Sequence, residues 1–190
     1  MGGDLRDALG RVLGIDPTIT VAGRTDAGVH ARRQVVSFDA PTGSVEPHSL
    51  RRSVNAMLAP HVVIREVAHA AGDFDARFSA KWRRYRYRLL ASEVPDPFLA
   101  TTTWWMPAAL DRHRMADAAH DLVGEHDFTS FCRRPRDRPD VSLVRRVTDA
   151  RWSQELGDDP RVLTFEITAT AFCHQMVRSI VGTLVDIGRG

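Results

Sequence analysis

"KWRRYRYRLL", Lys81–Leu90, decides how the rest of the chain is read. In an extended chain, Arg83, Tyr85 and Tyr87 fall on one face and Arg84, Arg86 and Arg88 on the other. That period of two predicts a long strand, and the turn-rich "SEVPDP" (Ser92–Pro97) bounds it. Arginines interleaved with tyrosines suit a surface that grips phosphates and stacks bases. A solvated arginine face opposite a half-buried aromatic one explains the same pattern.

Downstream, the pattern predicts a helix over about Asp111–Val123, capped by Asp111 and stopped by Gly124. Strands follow at about Leu143–Trp152 and Val162–Thr170, separated by "GDDP" (Gly157–Pro160). A last helix, His174–Ile187, carries Val177, Ile180, Val181 and Leu184 on one face. The second half therefore reads β-α-β-β-α. Upstream, Asp4 caps a helix to about Leu13, with Leu5, Ala8, Leu9, Val12 and Leu13 on one face and Gly14 as its stop. Strands Thr18–Ala22 and Gln34–Phe38, a helix Ser49–Leu58 ended by Pro60, and a strand Val62–Val67 complete α-β-β-α-β. A β-α-β-β-α-β unit is the split-βαβ, ferredoxin-like pattern. The second half matches its first five elements and the first half its last five. The expectation is an α+β protein of two related subdomains, 1–75 and 76–190, clipped at both ends or begun at a late start codon; a naturally short variant is the alternative.

Bulk properties set the outer limits. The chain has 190 residues, 43% hydrophobic and 26% charged, ordinary for a soluble globular protein. No apolar run approaches the roughly 20 residues of a membrane span, and "MGGDLRDALG" does not resemble a secretory signal. Two cysteines, Cys132 and Cys173, make no disulfide framework, so reduced thiols in a cytoplasmic setting are expected. The net charge of +2 is too small to argue for nucleic acid. Its distribution says more, because arginine far outnumbers lysine and clusters in Lys81–Arg88 and in "RRPRDRP" (Arg133–Pro139). High-GC codon usage would enrich arginine as well.

Between the first two predicted strands lies "AGRTDAGVHA", Ala22–Ala31. A hairpin needs only two to five connecting residues, yet this connection holds Arg24, Thr25, Asp26 and His30, with Gly23 and Gly28 allowing close backbone approach. An isolated turn aspartate commonly bonds nearby backbone N–H groups. The crowding around Asp26 favours a functional acid instead. Arg178 is the other unusual residue, a charge early in the apolar helix "HQMVRSIVGTLVDIG". It either snorkels to solvent or is paired and partly buried. Metal ligation finds no support: His113 and His120 are two helical turns apart, and neither cysteine has a Cys-x-x-Cys partner. Phosphate-binding loops, dinucleotide fingerprints and Gly-x-Ser-x-Gly elbows do not occur.

"GRTDAGVHA" (Gly23–Ala31) closely resembles the signature of the TruA family of tRNA pseudouridine synthases. "ARFSAKWRRYRY", "GEHDFTSF" and "TATAFCHQMVRSIVG" are similar to three further blocks of that family, in its order and at similar spacing. The resemblance covers nearly the whole chain. It implies the pseudouridine synthase fold, two ferredoxin-like halves sharing an extended antiparallel sheet, here with the first strand and the C-terminal elements missing. It implies an isomerase of tRNA uridines in the anticodon stem-loop that uses neither metal nor cofactor and works as a cytoplasmic homodimer. By the same resemblance Asp26 is the catalytic aspartate and Arg178 the basic residue that pairs with it. Tyr85 stacks on the target uracil and Arg24 fills the gap left by the flipped base. Thr25, His30 and Arg83 complete the substrate-binding set. Two other readings of the residues stand beside it. One is a catalytically inactive RNA-binding fragment, and the other a small-molecule enzyme using Asp26 and His30.

Overall fold

Helix α1 (Gly2–Leu13) turns Leu5, Ala8 and Leu9 inward, and α2 (Pro47–Leu58) answers with Leu50 and Val54. These side chains form a small core, flanked by Ile19, Val36, Phe38, Val45, Ile64 and Val67. Proline at the first position of α2 costs nothing, because the N–H it lacks has no partner within a helix anyway. Strands β1 (Thr20–Val21) and β2 (Val36–Ser37) pair antiparallel, Thr20 opposite Ser37 and Val21 opposite Val36. This computed structural model describes every residue except Met1, Thr42, Arg138 and 155–158, so the "GDDP" turn lies partly outside the described residues. The chain divides into two units, Met1–Ala80 and Lys81–Gly190.

The strand expected at Val62–Val67 does not form; among the described residues it pairs with no other strand. Its backbone bonds to side chains of α2 instead. Asn55 accepts the Ile64 N–H at 2.6 Å and donates to the Ile64 carbonyl at 2.9 Å, while Arg51 donates to the Arg65 carbonyl at 3.1 Å. Ile64 and Val67 still pack on the core, so the apolar spacing was real although the ladder was not.

In the second unit β3 (Arg83–Ala91) lies between β4 (Trp104–Met106) and β7 (Val162–Ala169), and β6 (Val144–Gln154) and β5 (Gly124–Asp127) continue the sheet in the order β4-β3-β7-β6-β5. Helix α3 (Arg112–His120), a 3₁₀ turn η1 (Thr129–Phe131) and α4 (Met176–Arg189) complete the unit. The expected purely antiparallel sheet is mixed here, because β4 runs parallel to β3. The remaining pairs are antiparallel, which makes β3 and β6 run the same way with β7 between them. Every residue of β7 is buried. Leu163, Phe165, Ile167 and Ala169 face a core built with Met115 and Ala119 of α3 and Ile180, Val181, Leu184 and Val185 of α4. Tyr85, Tyr87 and Leu89 stand opposite Ile167, Phe165 and Leu163, on that side, and Arg84, Arg86 and Arg88 pair with Thr168, Glu166 and Thr164 on the other.

Asp111 does cap α3, its carboxylate accepting the N–H groups of His113 at 3.0 Å and Arg114 at 3.1 Å. The helix ends three residues short of Val123, before β5 begins. Cys132 and Cys173, expected as separate reduced thiols, form a disulfide with Cα atoms 5.7 Å apart. Their separation of 41 residues gives no local signal; the packing of η1 against the start of α4 brings them together. No helix among the described residues is long and apolar enough to cross a membrane.

Candidate active site

The loop bearing Asp26 is closed at its base. The Ala22 N–H donates to the Val35 carbonyl at 2.9 Å, continuing the β1–β2 ladder, and the Gln34 side-chain amide donates to the Gly23 carbonyl at 2.7 Å. Asp26 then opens a tight turn, its carbonyl accepting the Val29 N–H at 3.2 Å. Gly28 stands third in that turn with φ of 81°, and no non-glycine residue of the loop has positive φ. That combination is a type II turn, which calls for glycine at this position. Asp26 and Thr25 are half-buried, whereas Arg24 and His30 are exposed. These four sequence-predicted residues therefore share one short loop in the first unit.

Arg83, Tyr85 and Arg178 belong to the second unit. Arg83 donates to the Thr170 carbonyl at 3.3 Å. The half-buried Tyr85 ring meets Phe172 edge to face, centroids 4.9 Å apart and planes at 86°. Arg178 is the third residue of α4 and is exposed. This corrects the partly buried alternative, because the buried stripe of the helix runs through Met176, Ile180, Leu184 and Gly188, with Val181 and Val185 beside it. A cation in a helix's first turn opposes the helix dipole, so this position is suited to a nearby anion.

The segment between β7 and α4 holds both sides of this group. Gln175 adopts a left-handed φ of 67° as it enters α4. The Arg133 N–H donates to the His174 carbonyl at 2.9 Å and the Met176 N–H to the Cys173 carbonyl at 3.3 Å. Across from it, Asp127 accepts the Thr129 N–H at 2.9 Å and hydroxyl at 2.6 Å, which hold its carboxyl below the usual carboxylate range. Sequence reading matched "GEHDFTSF" to a family block but gave Asp127 and Thr129 no role. The Asp-x-Thr spacing, which favours such a turn, was its available signal.

The arginine clusters divide. Arg86 and Arg151 both clasp Glu166, at 2.7 Å each, and hold its carboxyl below its ordinary value. Arg84 bonds the Thr168 hydroxyl at 3.1 Å and lies over the exposed Trp82 ring, 5.6 Å from its centroid. Arg134 reaches back to the carbonyls of Pro139 and Val141, bracing its own loop, while Arg133 and Arg136 are exposed. No three His, Cys, Asp or Glu side chains converge as a metal site among the described residues.

Against known proteins, a family model described as tRNA pseudouridine synthase matches residues 118–190. The tRNA pseudouridine synthase A of Leifsonia xyli subsp. xyli is 39% identical over 208 residues, covering 99% of this chain and 70% of the relative. That of Cutibacterium acnes is 41% identical over 191 residues, covering 99% and 67%. That of Geobacillus kaustophilus is 38% identical over 189 residues, covering 99% and 70%.

Proposed function

The chain belongs to the tRNA pseudouridine synthase A family, and from that premise we propose that it isomerises uridine to pseudouridine in the anticodon stem-loop of tRNA. The bond from ribose to the ring nitrogen breaks, the base rotates, and a bond to ring carbon replaces it. The proton lost from that carbon is matched by one gained at the freed nitrogen, so no water is consumed. Asp26 is the catalytic carboxylate and Arg178 the cation that favours its ionised form. Tyr85 stacks on the extruded uracil, returning about 1–3 kcal/mol of the few kcal/mol that unstacking costs. Arg24 fills the gap the base leaves, and Thr25, His30 and Arg83 bind the substrate around it. The subdomain 1–75 carries the carboxylate and 76–190 the tyrosine and arginine, as two ferredoxin-like halves acting in a cytoplasmic homodimer. The β3-β7-β6 order, with α3 and α4 following its first and last strands in sequence, supports the second of these halves.

The observation that carries the reading is the presentation of Asp26 at the head of a type II turn in a loop closed by Gln34. The test is to map pseudouridine in tRNA after incubation with the protein and with Asp26→Asn. The amide keeps the shape but is neither nucleophile nor base. Product should vanish while tRNA affinity changes by less than about twofold. Turnover by Asp26→Asn would remove the aspartate from the mechanism. Wild-type protein that binds tRNA and forms no pseudouridine would favour the RNA-binding reading.

A further inference from the structure

One short segment, Phe172–Gln175, bears on two residues of the proposed site at once. Its Phe172 meets the Tyr85 ring, and its far end enters the turn of α4 that carries Arg178. It is fastened from the side. Cys173 is bonded to Cys132, which directly follows η1, and the Arg133 N–H bonds the His174 carbonyl. The η1 end is itself fixed by Asp127 on Thr129 and by the Phe131 and Cys132 N–H groups on the carbonyls of Phe128 and Thr129. Both cysteines are half-buried, within reach of a small thiol. Disulfides that form in reducing compartments are usually transient and redox-sensing.

We propose that Cys132 and Cys173 form a reversible thiol lock that positions Tyr85 and Arg178 for the isomerisation, an inference that rests on the function proposed above. In the disulfide form the segment is held and the protein is fully active. A dithiol reductant opens the lock. Its thiolate attacks one protein sulfur, the Cys132–Cys173 bond breaks, and the two protein sulfurs take up two electrons and two protons. The reductant leaves as its own disulfide. A small-molecule disulfide closes the lock by the reverse exchange. The cysteines are positioning residues and touch no reacting atom.

The experiment compares oxidised protein, dithiothreitol-reduced protein and the Cys132→Ser/Cys173→Ser double variant. It measures pseudouridine formation on tRNA and hydrogen exchange at the Met176 and Ser179 amides, which bond the carbonyls of Cys173 and Gln175. Reduction should lower kcat at least about tenfold, within the roughly hundredfold that a misplacement near 1 Å can cost, with KM changed less than about twofold. Exchange at both amides should quicken. Reoxidation should restore the wild type, and the double variant should stay at the reduced value whatever the thiol conditions. Equal kcat in oxidised and reduced wild type overturns the positioning role, a comparison that needs no variant to fold. Unchanged exchange on reduction overturns the lock itself. Absence of product in both redox states overturns the isomerase reading instead, and exchange alone then decides the lock.

Discussion

The loop bearing Asp26 hangs from two strands of two residues each, beside a core of Leu5, Ala8, Leu9, Leu50 and Val54. Tyr85 and Arg178 instead stand on a nine-residue strand and a fourteen-residue helix, which share a core running from Leu89 through Phe165 to Val185. The first unit shapes the Asp26 loop with hydrogen bonds local to it. The second holds Tyr85 and Arg178 with apolar burial spread over a sheet and two helices. Buried apolar area dominates stability, and small cores contribute little of it. The Asp26 loop should therefore open easily, whereas opening around Tyr85 and Arg178 should need most of the second unit to unfold.

The largest expected effect tests that contrast directly. Phe165 is fully buried in β7, with its ring 5.1 Å from that of Trp152. Phe165→Ala should cost about 3–5 kcal/mol. All four tryptophans, Trp82, Trp104, Trp105 and Trp152, lie in the second unit, so their fluorescence reports that unit alone. Under urea the tryptophan midpoint should fall sharply, while exchange protection at Ala22 and Val29 stays as in the wild type. Equal loss of protection in both units would show that they unfold as one, and the contrast would fail.

The same contrast explains what the sequence revealed. Helices α1, α2 and α4 were legible because their apolar residues repeat at helical spacing, and β3, β6 and β7 because they are long and partner a core. The Asp111 cap was legible because it is purely local chemistry. Strand β5, "GEHD", was not: it is a polar edge strand with no apolar alternation to betray it. Strand β4 has three residues, and its parallel pairing with β3 depends on the path of the loop between them. Val62–Val67 misled because burial and β-branching accompany a strand without requiring one; Asn55 took the backbone groups that a ladder would have used. The Asp26 loop stood out as a cluster of polar types, but the Gln34 clamp did not, since nothing in "RRQVV" distinguishes a clamp from an exposed side chain.

A smaller effect sharpens the electrostatic side of the second unit. The Arg86 side chain bonded to Glu166, followed by the charges of Arg86 and Arg151, holds its carboxyl below the ordinary 4.5. Between that lowered value and 4.5 the unfolded chain binds more protons than the folded one, so stability rises with pH. The contribution is complete above 4.5 and is lost as pH falls through the folded value. Asp159, held at about 2 by Arg161, adds its own loss as pH falls from 3.8 toward that value. Glu166→Gln should cost about 1–2 kcal/mol at neutral pH, since both arginines are nearly half exposed and solvent screens the pair. It should also flatten the decline of the tryptophan-monitored midpoint between pH 5 and pH 3, taken as a window of about one unit either side of an ordinary carboxyl. An acid decline as steep as in the wild type would assign the loss to other carboxylates.

The smallest effect on stability belongs to the loop, and its value lies in being separable from the rest. A Cβ at Gly28 would meet nothing within 4 Å, so Gly28→Ala tests the positive φ and no packing. Its cost should be about 1–2 kcal/mol, confined to the turn, with Gly28→Asn milder because asparagine tolerates that conformation. Gln34→Leu keeps the bulk and removes the donor to Gly23, at about 0.5–1.5 kcal/mol. Neither change touches the core of either unit, so the tryptophan midpoint should not move. Exchange at Val29 should quicken in Gly28→Ala, and at Ala22 in Gln34→Leu, because those amides close the turn and the base of the loop. Pseudouridine formation should fall further than stability does, since a carboxylate displaced by about 1 Å can lose two orders of magnitude in rate. If both variants keep wild-type exchange and wild-type rate, the loop is held by contacts other than its own hydrogen bonds, and the division between a locally held carboxylate and a core-held tyrosine and arginine is wrong.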